Sequence, residues 1–311
     1  MKKLIAVQLL GVSFLAFNTG AMAAAPANAC TYAAMVQGGG LLDGGSLTFP
    51  GGFVGNTNWL AGFGEGALAA SCGTFGIQLD GAVYGFGGSG NNSVVDFTDT
   101  NTNSHFGGEV FWRNPEQGAF GVAASRITQT FSESGTGLTV KSSSPLWRTG
   151  LFGEYYGGDR FTFGGGAYYL SGDLPSLGWT QDGFEGDIYA KYYVSNNVAL
   201  NARADLMAMK FHDVGFSDTD WHGAAVSADA EYLIPNSAFS IFAGGRYASR
   251  DSKNGTFEVV YNDLQGFVGA KIEFGGPNSA SLRDRDRHGT FDNTSVMQEK
   301  LPSWFSEAPF D

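Results

Sequence analysis

The sequence predicts an all-β fold, a transmembrane antiparallel up-and-down β-barrel of about 12 strands, and three observations support it. Apolar and polar residues alternate with a period of two between about residues 30 and 275, as in strands whose two faces differ. Short turns alternate with long polar connections along the same stretch. The segments are close in length to the roughly 9–11 residues that a tilted strand needs to cross a bilayer, and their even number lets an antiparallel sheet close.

The predicted strands follow one another along the chain. The alternation is clearest in the eighth, where Phe184 and Ile188 share an apolar face and Glu185 lies on a charged one. It is poorest in the fifth, because Arg126 falls on the apolar face. The predicted segments are 32–41, 59–70, 75–86, 105–113, 118–128, 146–156, 160–170, 183–194, 198–208, 222–233, 238–248 and 265–275.

The connections predict which end of the barrel faces which side. Short turns rich in Gly, Pro, Asn, Asp and Ser are typical of periplasmic turns, and long polar loops of the extracellular side. Closure is expected because an open sheet edge would leave unpaired backbone groups in lipid. Long loops are predicted at about 42–57, 87–104, 129–145, 171–182, 209–220 and 249–263.

A soluble sandwich of two packed sheets would show the same alternation. Its aromatic residues would lie throughout a core, whereas many of them here lie at strand ends, as in the girdles of membrane barrels. The distribution therefore favours the membrane barrel. The predicted girdle residues are Trp59, Phe75, Trp112, Trp147, Tyr155, Tyr156, Tyr169, Tyr192, Tyr193, Tyr232, Phe239 and Tyr247.

The composition excludes several other classes of protein. The chain has 47 glycines in 311 residues, about twice the usual share of about 7%, and only 15% charged residues against roughly 25% in soluble domains. A collagen-like or hydrophilic disordered chain does not fit either, because the glycines lack a period of three and accompany 14% aromatic residues. A formal charge of −12 without a basic stretch excludes nucleic acid as a partner.

The N-terminus has the three parts of a secretory signal peptide. The first three residues carry positive charge, an apolar run extends over residues 4–17, and a small-residue cleavage site follows at 21–23. The apolar run is shorter than the roughly 20 residues of a transmembrane helix. We expect a signal peptide at 1–23, with residue 29 as an alternative end. Its removal takes away two lysines and changes the net charge from −12 to −14.

One stretch carries a likeness to a known family. Residues 108–122 read Gly-Glu-Val-Phe-Trp-Arg-Asn-Pro-Glu-Gln-Gly-Ala-Phe-Gly-Val, an aromatic strand, a turn with proline and a glycine-rich return strand. With the similar rhythm at 150–156 and in the closing strand, this stretch resembles porin-like outer-membrane proteins of alphaproteobacteria. The resemblance implies a barrel located in the cell outer membrane, folded by the barrel-assembly machinery and without catalytic residues.

The barrel is expected to span residues 30–275, and the chain departs from the family after that range. Such barrels usually end at an aromatic residue, whereas the candidate closing strand ends at Phe274 and about 36 residues remain after it. We expect residues 276–311 to form a periplasmic C-terminal tail. Within it, the run Asp-Arg-Asp-Arg-His-Gly at 284–289 begins like a calcium loop but has Ser295 at the twelfth position instead of glutamate. It is typical of a solvated tail of alternating charge.

The chain has two cysteines, Cys30 and Cys72. An exported pair can persist as a disulfide in an oxidising compartment. Lipidation of Cys30 is the alternative, although the residues before it lack the leucine of a lipoprotein signal. In the predicted topology Cys30 precedes one strand and Cys72 follows the neighbouring one, so both lie at the periplasmic rim and we predict a disulfide.

No catalytic, cofactor or metal site is predicted. The chain has no G-x-S-x-G elbow, and the G-x-G pattern at 62–64 lacks the strand–turn–helix context of a dinucleotide site. The histidines are scattered, and His105 and His222 are expected at strand starts near the long loops, as wet rim residues. A nucleophile and a base could still meet through space, but the residues favour a protein that is not an enzyme.

The charged faces of the strands predict which residues line the lumen. Nine acids and six bases are expected there. Charges of both signs around a lumen can tune the selectivity of a pore, or they can pair and fill a closed interior. The predicted pore-lining residues are Asp80, Glu109, Arg113, Arg148, Glu154, Glu185, Asp187, Lys191, Arg203, Asp205, Asp229, Glu231, Arg246, Lys271 and Glu273.

Two functions of different kinds fit these observations. The first is a passive channel for small hydrophilic solutes, mildly cation-selective because of the acidic excess. The second is a non-conducting structural or surface-interaction barrel, whose acidic loops contact lipopolysaccharide through divalent ions or bind an external partner. Outer-membrane lipid is a partner in both. The loop acids are Asp96, Asp99, Asp213, Asp218, Asp220 and Asp251.

Overall fold

The computed structural model describes a closed barrel of twelve antiparallel strands followed by a short helix. Each strand pairs with the next one in the chain, and the first also pairs with the twelfth, which closes the ring. The predicted all-β barrel and its strand number are therefore confirmed. The described residues are 30–48, 54–91, 96–135, 138–174, 178–212, 218–255, 257–275, 281–292 and 294–302, and the predicted signal peptide lies outside them.

The elements follow the order that the sequence pattern predicts. A helix, α1, comes after the last strand and covers Leu282–His288. The strands are β1 Cys30–Thr48, β2 Val54–Cys72, β3 Phe75–Asn91, β4 Asp96–Asn114, β5 Gly118–Gly135, β6 Leu138–Gly157, β7 Phe161–Leu174, β8 Trp179–Ser195, β9 Val198–His212, β10 Thr219–Leu233, β11 Phe239–Asn254 and β12 Phe257–Gly275.

The period of two in the sequence sorts the side chains between the two faces of the barrel. On β8, Phe184 and Ile188 are exposed on the outward face, while Glu185 and Asp187 are buried inside. Successive side chains of a strand point to opposite faces, so a strict alternation places one whole set inward. The barrel is therefore apolar outside and polar inside.

The strands extend further toward the long-loop end than predicted. The predicted loop at 42–57 is strand as far as Thr48 and again from Val54. The prediction of long loops is therefore wrong for much of that stretch, and strand likewise enters the predicted loops at 87–104, 129–145, 171–182, 209–220 and 249–263. Hydroxyl-bearing residues such as Thr100 and Ser132 lie opposite one another there, and cross-strand pairs of this kind stabilise a sheet without an apolar face.

At the opposite end, which we name the short-turn end, the connections are tight turns, as predicted. Gly73 and Gly158 adopt φ angles of 65° and 61°, and Asn236 adopts 58°. Glycine and asparagine enter this left-handed region more readily than other residues. The turn residues thus allow neighbouring strands to reverse direction over a few residues.

The predicted aromatic girdle is confirmed in part. Phe75 and Trp147, for example, are exposed on the outward face. The prediction is wrong for Trp59, Tyr156 and Tyr193, which are buried inside the barrel. A position at a strand end does not decide the direction of a side chain, because a shift of one residue moves it to the other face.

The helix α1 packs across the short-turn end. The Leu282 backbone N–H donates to the carbonyl of Asn196 at 2.8 Å, and the Arg285 guanidinium donates to the carbonyl of Ser237 at 2.6 Å. Ser281 caps the helix, because its side chain accepts a hydrogen bond from the backbone N–H of Asp284. The run at 284–289 is therefore not a freely solvated tail, because its cations hold carbonyl groups of the turns.

Beyond α1 the chain enters the barrel, and we name the described residues 289–292 and 294–302 the luminal segment. Hydrogen bonds with inward-facing side chains of β3, β4 and β11 place them inside the ring of strands. The expectation of a periplasmic tail at 276–311 is wrong for these residues, while 276–280 and 303–311 lie outside the described ones. A ring of twelve strands encloses more space than its own side chains fill, and its buried polar groups need partners.

The predicted disulfide is present. Cys30 and Cys72 lie opposite one another in the pairing of β1 with β2, are joined by a disulfide, and have Cα atoms 4.2 Å apart. The bond ties the two strands together at the short-turn end. It also closes a loop with a sequence separation of 42 residues.

We expect the double substitution Cys30→Ser and Cys72→Ser to lower the free energy of unfolding by about 2–4 kcal/mol, because it removes a constraint on the unfolded chain. Urea unfolding of the folded barrel in detergent micelles, followed by tryptophan fluorescence, measures the change. Wild-type protein with the disulfide reduced is the matched control and should unfold at the same midpoint as the variant. An unchanged midpoint would contradict the prediction.

Candidate functional site

The candidate site is the lumen, and its walls carry the residues that the sequence predicts. All of the predicted pore-lining side chains lie on the inward face, where most are buried. Three of the least buried still bond inside the barrel: Asp80 contacts His105, Glu154 accepts from the hydroxyl of Tyr189, and Asp229 accepts from the side-chain amide of Asn201. The interior is therefore a polar site, while a role in conduction stays a prediction.

Charged wall residues pair with one another on strands that are two apart in the ring. The Arg148 guanidinium lies 3.2 Å from the Glu185 carboxylate, and Lys271 lies 2.7 Å from Glu231. All four side chains are largely withdrawn from water. Removing one partner of a buried pair leaves an uncompensated charge and is strongly destabilising, so these pairs fix the positions of the walls.

The luminal segment binds the walls first near the short-turn end. Gln78 makes two hydrogen bonds with the backbone of Phe291, donating to its carbonyl at 3.0 Å and accepting from its N–H at 2.8 Å. Arg113 donates to the carbonyl of Gly289 at 2.6 Å, and its guanidinium lies 3.7 Å from the centre of the Phe291 ring. Side chains of β3 and β4 thus hold the main chain where the segment enters.

Further along, amide and guanidinium groups of the walls donate to carbonyls of the segment. Asn103 donates to the carbonyls of Glu299 and Leu301 at 3.0 and 2.8 Å. Gln129 donates to the carbonyl of Gln298 at 2.6 Å. Arg250 donates to the Pro302 carbonyl at 2.8 Å. Arg250 lies four residues from the end of β11, so the segment runs from the short-turn end almost to the long-loop end.

A buried carboxylate joins the segment to two walls. One oxygen of Glu299 lies 2.9 Å from Nδ1 of His105, whose Nε2 lies 3.2 Å from Asp80. The other oxygen accepts from the Ser295 N–H at 2.9 Å, and the Ser295 hydroxyl donates to Glu185 at 2.6 Å. The expectation that His105 is a wet rim residue is wrong, because β4 continues past it toward the long-loop end and places it inside the barrel.

Apolar packing accompanies these polar contacts. Val296, Met297 and Leu301 of the segment are at most 1% exposed and belong to one cluster with side chains of the walls. Large apolar residues on the predicted polar faces are a sign of this packing in the sequence, because a water-filled pore would expose them to water. The wall members of the cluster are Ile127, Leu146, Leu170, Met207, Met209, Phe211, Trp221, Ala225 and Ala248.

Beside the segment a cavity of about 220 Å³ remains. Its lining combines aromatic rings with charged groups of both signs. The Phe63 and Tyr84 rings are stacked with centroids 5.5 Å apart. Lining residues include Glu65, Asp229, Glu231, Lys191, Arg203 and Lys300. The cavity is polar enough to hold water and too small for a wide aqueous channel.

Acidic residues at the long-loop end lie beside lysine and histidine side chains. His212 lies 2.8 Å from Asp182 and 3.2 Å from Asp218, and its hydrogen bond to Asp182 is the main cause that raises its pKa. Asp220 pairs with Lys210 at 3.5 Å. Of the predicted loop acids, Asp213 and the side chains of Asp96 and Asp99 lie outside the described part of the chain, while Asp251 lies 3.3 Å from His222.

No protein family and no curated protein sequence matches the chain. Solved structures with a similar arrangement include the translocator domain of the autotransporter NalP from Neisseria meningitidis, with a TM-score of 0.47 and 17% identity over 78% of this chain and 88% of that one. The transport unit of the autotransporter AIDA-I from Escherichia coli has a TM-score of 0.46 and 14% identity, over 78% and 90%. A Pseudomonas aeruginosa FadL homologue has a TM-score of 0.43 and 9% identity, over 78% and 90%.

Among the described residues, no helix is long and apolar enough to cross a membrane. The described part also contains no group of three or more His, Cys, Asp or Glu side chains placed to hold a metal ion.

We expect Asn103→Ala to loosen the luminal segment without unfolding the barrel. The change removes two hydrogen bonds, each worth about 1 kcal/mol, so amide exchange within 294–302 should accelerate roughly tenfold to thirtyfold. Hydrogen exchange read by mass spectrometry measures the rate. Asn201→Ala is the matched control, because Asn201 donates to the wall residue Asp229 instead of the segment; equal acceleration in both variants would contradict the prediction.

Proposed function

We propose that the protein is an outer-membrane β-barrel that forms a pore for small hydrophilic solutes and is closed at rest by its luminal segment. The observation that carries this proposal is the buried position of residues 294–302 among side chains of β4, β5, β8 and β11. An open passive channel, as the sequence predicts, would need this segment to leave. The pore is therefore gated by part of its own chain.

The outward surface supports a location in a lipid bilayer. Burying one large apolar side chain is worth about 1.5–3 kcal/mol. Leaving eight of these side chains exposed to water would therefore forgo more than about 10 kcal/mol, which is comparable with the whole stability of a typical protein. Lipid removes this cost. Apolar residues that are each 55–70% exposed occur on ten of the strands, and eight of these residues are Leu68, Ile77, Val110, Leu151, Ile188, Leu206, Val226 and Val268.

The polar walls support small hydrophilic solutes as the transported class. Once the segment is displaced, the wall donors and acceptors that hold it, such as Gln78, Asn103 and Gln129, would face water. Acids outnumber bases among the predicted lumen residues, nine to six. A mild preference for cations follows from this excess.

Planar-bilayer recordings of full-length protein and of a variant truncated after His288 test the proposal. We expect small, infrequent openings from the full chain. The truncated barrel should conduct at least about tenfold more, because a ring of twelve strands without the segment would hold a continuous column of water. In a salt gradient its reversal potential should show cation preference.

Heat-modifiable mobility in gels and far-UV circular dichroism establish that the truncated barrel is folded. If it is not, the triple variant Asn103→Ala, Gln129→Ala and Glu299→Ala weakens the same contacts in the full chain and serves as the open form. A folded, truncated barrel that conducts no more than the full chain would overturn the pore. Anion preference would overturn the selectivity alone.

The second candidate is a non-conducting structural barrel of the outer membrane. The buried Glu299–His105 contact at 2.9 Å favours it, because separating two buried hydrogen-bonded groups without new partners is costly. Lack of conductance in the folded, truncated variant would be the expected result for this candidate. Envelope integrity in cells that produce the variant would then be the property to measure.

A further inference from the structure

The outward face of β5 carries a cation in an otherwise uncharged surface. Arg126 is exposed on the same face as Phe120 and Val122, which are 63% and 52% exposed. Its position explains why the alternation in the fifth predicted strand is poor. In the pairing with β4 and β6, Arg126 lies opposite Phe106 and Trp147, which are also exposed outward.

Arg126 lies at the border between two kinds of surface. Toward the short-turn end the outward residues of β5 are Ala124, Val122 and Phe120, and toward the long-loop end they are Thr128 and Thr130. A change from apolar to hydroxyl-bearing residues also occurs on the neighbouring strands. There the outward residues change from Val110 and Phe106 to Ser104 and Thr102 on β4, and from Leu151 and Trp147 to Ser143 on β6.

The depth of Arg126 agrees with this border. It lies eight residues from the start of β5 at Gly118, roughly 27 Å along the strand at about 3.4 Å per residue. With the usual strand tilt of about 40°, this is roughly 20 Å along the barrel axis, and the apolar band of outer-membrane barrels is about 25 Å tall. Arg126 is therefore near the far edge of the band, at the level of lipid headgroups.

Within the described part of the chain, nothing occupies the guanidinium of Arg126. Among the described residues it has no hydrogen-bond or ion-pair partner. Lys210 provides a contrast on the same outer surface, since it is exposed near the long-loop end and lies 3.5 Å from the Asp220 carboxylate. A free guanidinium beside two aromatic rings, at headgroup depth, is complementary to an anion with an apolar body.

We propose that Arg126, with Trp147 and Phe106, binds a phosphate group of lipid A in the outer leaflet. This inference depends on the proposed outer-membrane location, which places the long-loop end of the barrel in that leaflet. The guanidinium donates two hydrogen bonds to phosphate oxygens, and the rings contact the acyl chains below them. The site is a lipid-binding position on the outer surface and has no part in closing the lumen.

Native mass spectrometry of the full-length protein in detergent, titrated with bisphosphorylated lipid A, tests the site. We expect Arg126→Gln to weaken binding about five- to tenfold, because one charge-assisted pair of hydrogen bonds is lost. Arg126→Lys keeps the charge but not the paired geometry of the guanidinium, so its affinity for lipid A should lie between those of wild type and Arg126→Gln. Lys210→Gln, the matched control, should bind like wild type.

Two further titrations identify the ligand. Lipid A without its phosphates should bind wild type and Arg126→Gln equally, and phosphatidylglycerol should bind wild type more weakly than lipid A does. Equal affinity of wild type and Arg126→Gln for lipid A would overturn the proposal. The proposal would also be overturned if wild type bound phosphatidylglycerol as tightly as it binds lipid A. None of these measurements uses conductance, so the lipid site and the pore can fail separately.

Discussion

Closing twelve strands into a ring turns a polar face inward along every strand, and the groups on those faces need partners because burial removes their water. Some find partners on other strands of the wall, as Arg148 of β6 does with Glu185 of β8. Others, such as Gln78 and Asn103, bond to the main chain of the luminal segment. The segment is therefore part of the folded interior, and its position follows from the same requirement that pairs the walls.

Individual cations of α1 and of the luminal segment lie beside acids of the walls. Lys300 lies 3.8 Å from Glu65, and Arg285 of α1 lies 4.0 Å from Glu273. These cations act as counterions attached to the protein. Residues 289–302 themselves carry two acids, Asp292 and Glu299, and one base, Lys300, so they leave the acidic excess of the walls in place.

The barrel could be predicted from the sequence because its signal is local. Alternation fixes which face a residue takes, and the disulfide follows from the order of Cys30 and Cys72 along neighbouring strands. The filled lumen could not be predicted in the same way, since it depends on contacts between residues far apart in the chain, such as Asn103 and Leu301. Ile127 on the polar face of β5 was a local sign of it, but a single apolar residue does not identify its partner.

The apolar contacts of the segment contribute a free-energy cost of opening comparable with that of its hydrogen bonds. Each hydrogen bond exchanges for one to water at a net cost of about 1 kcal/mol. Val296, Met297 and Leu301 would each lose burial worth about 1.5–3 kcal/mol, together roughly 5–9 kcal/mol. At about 1.4 kcal/mol per tenfold change in population, this corresponds to an open fraction of about one in several thousand or fewer. In the proposed pore the closed state would therefore be the resting one, and sustained opening would require a partner or condition that stabilises the displaced segment by a similar amount.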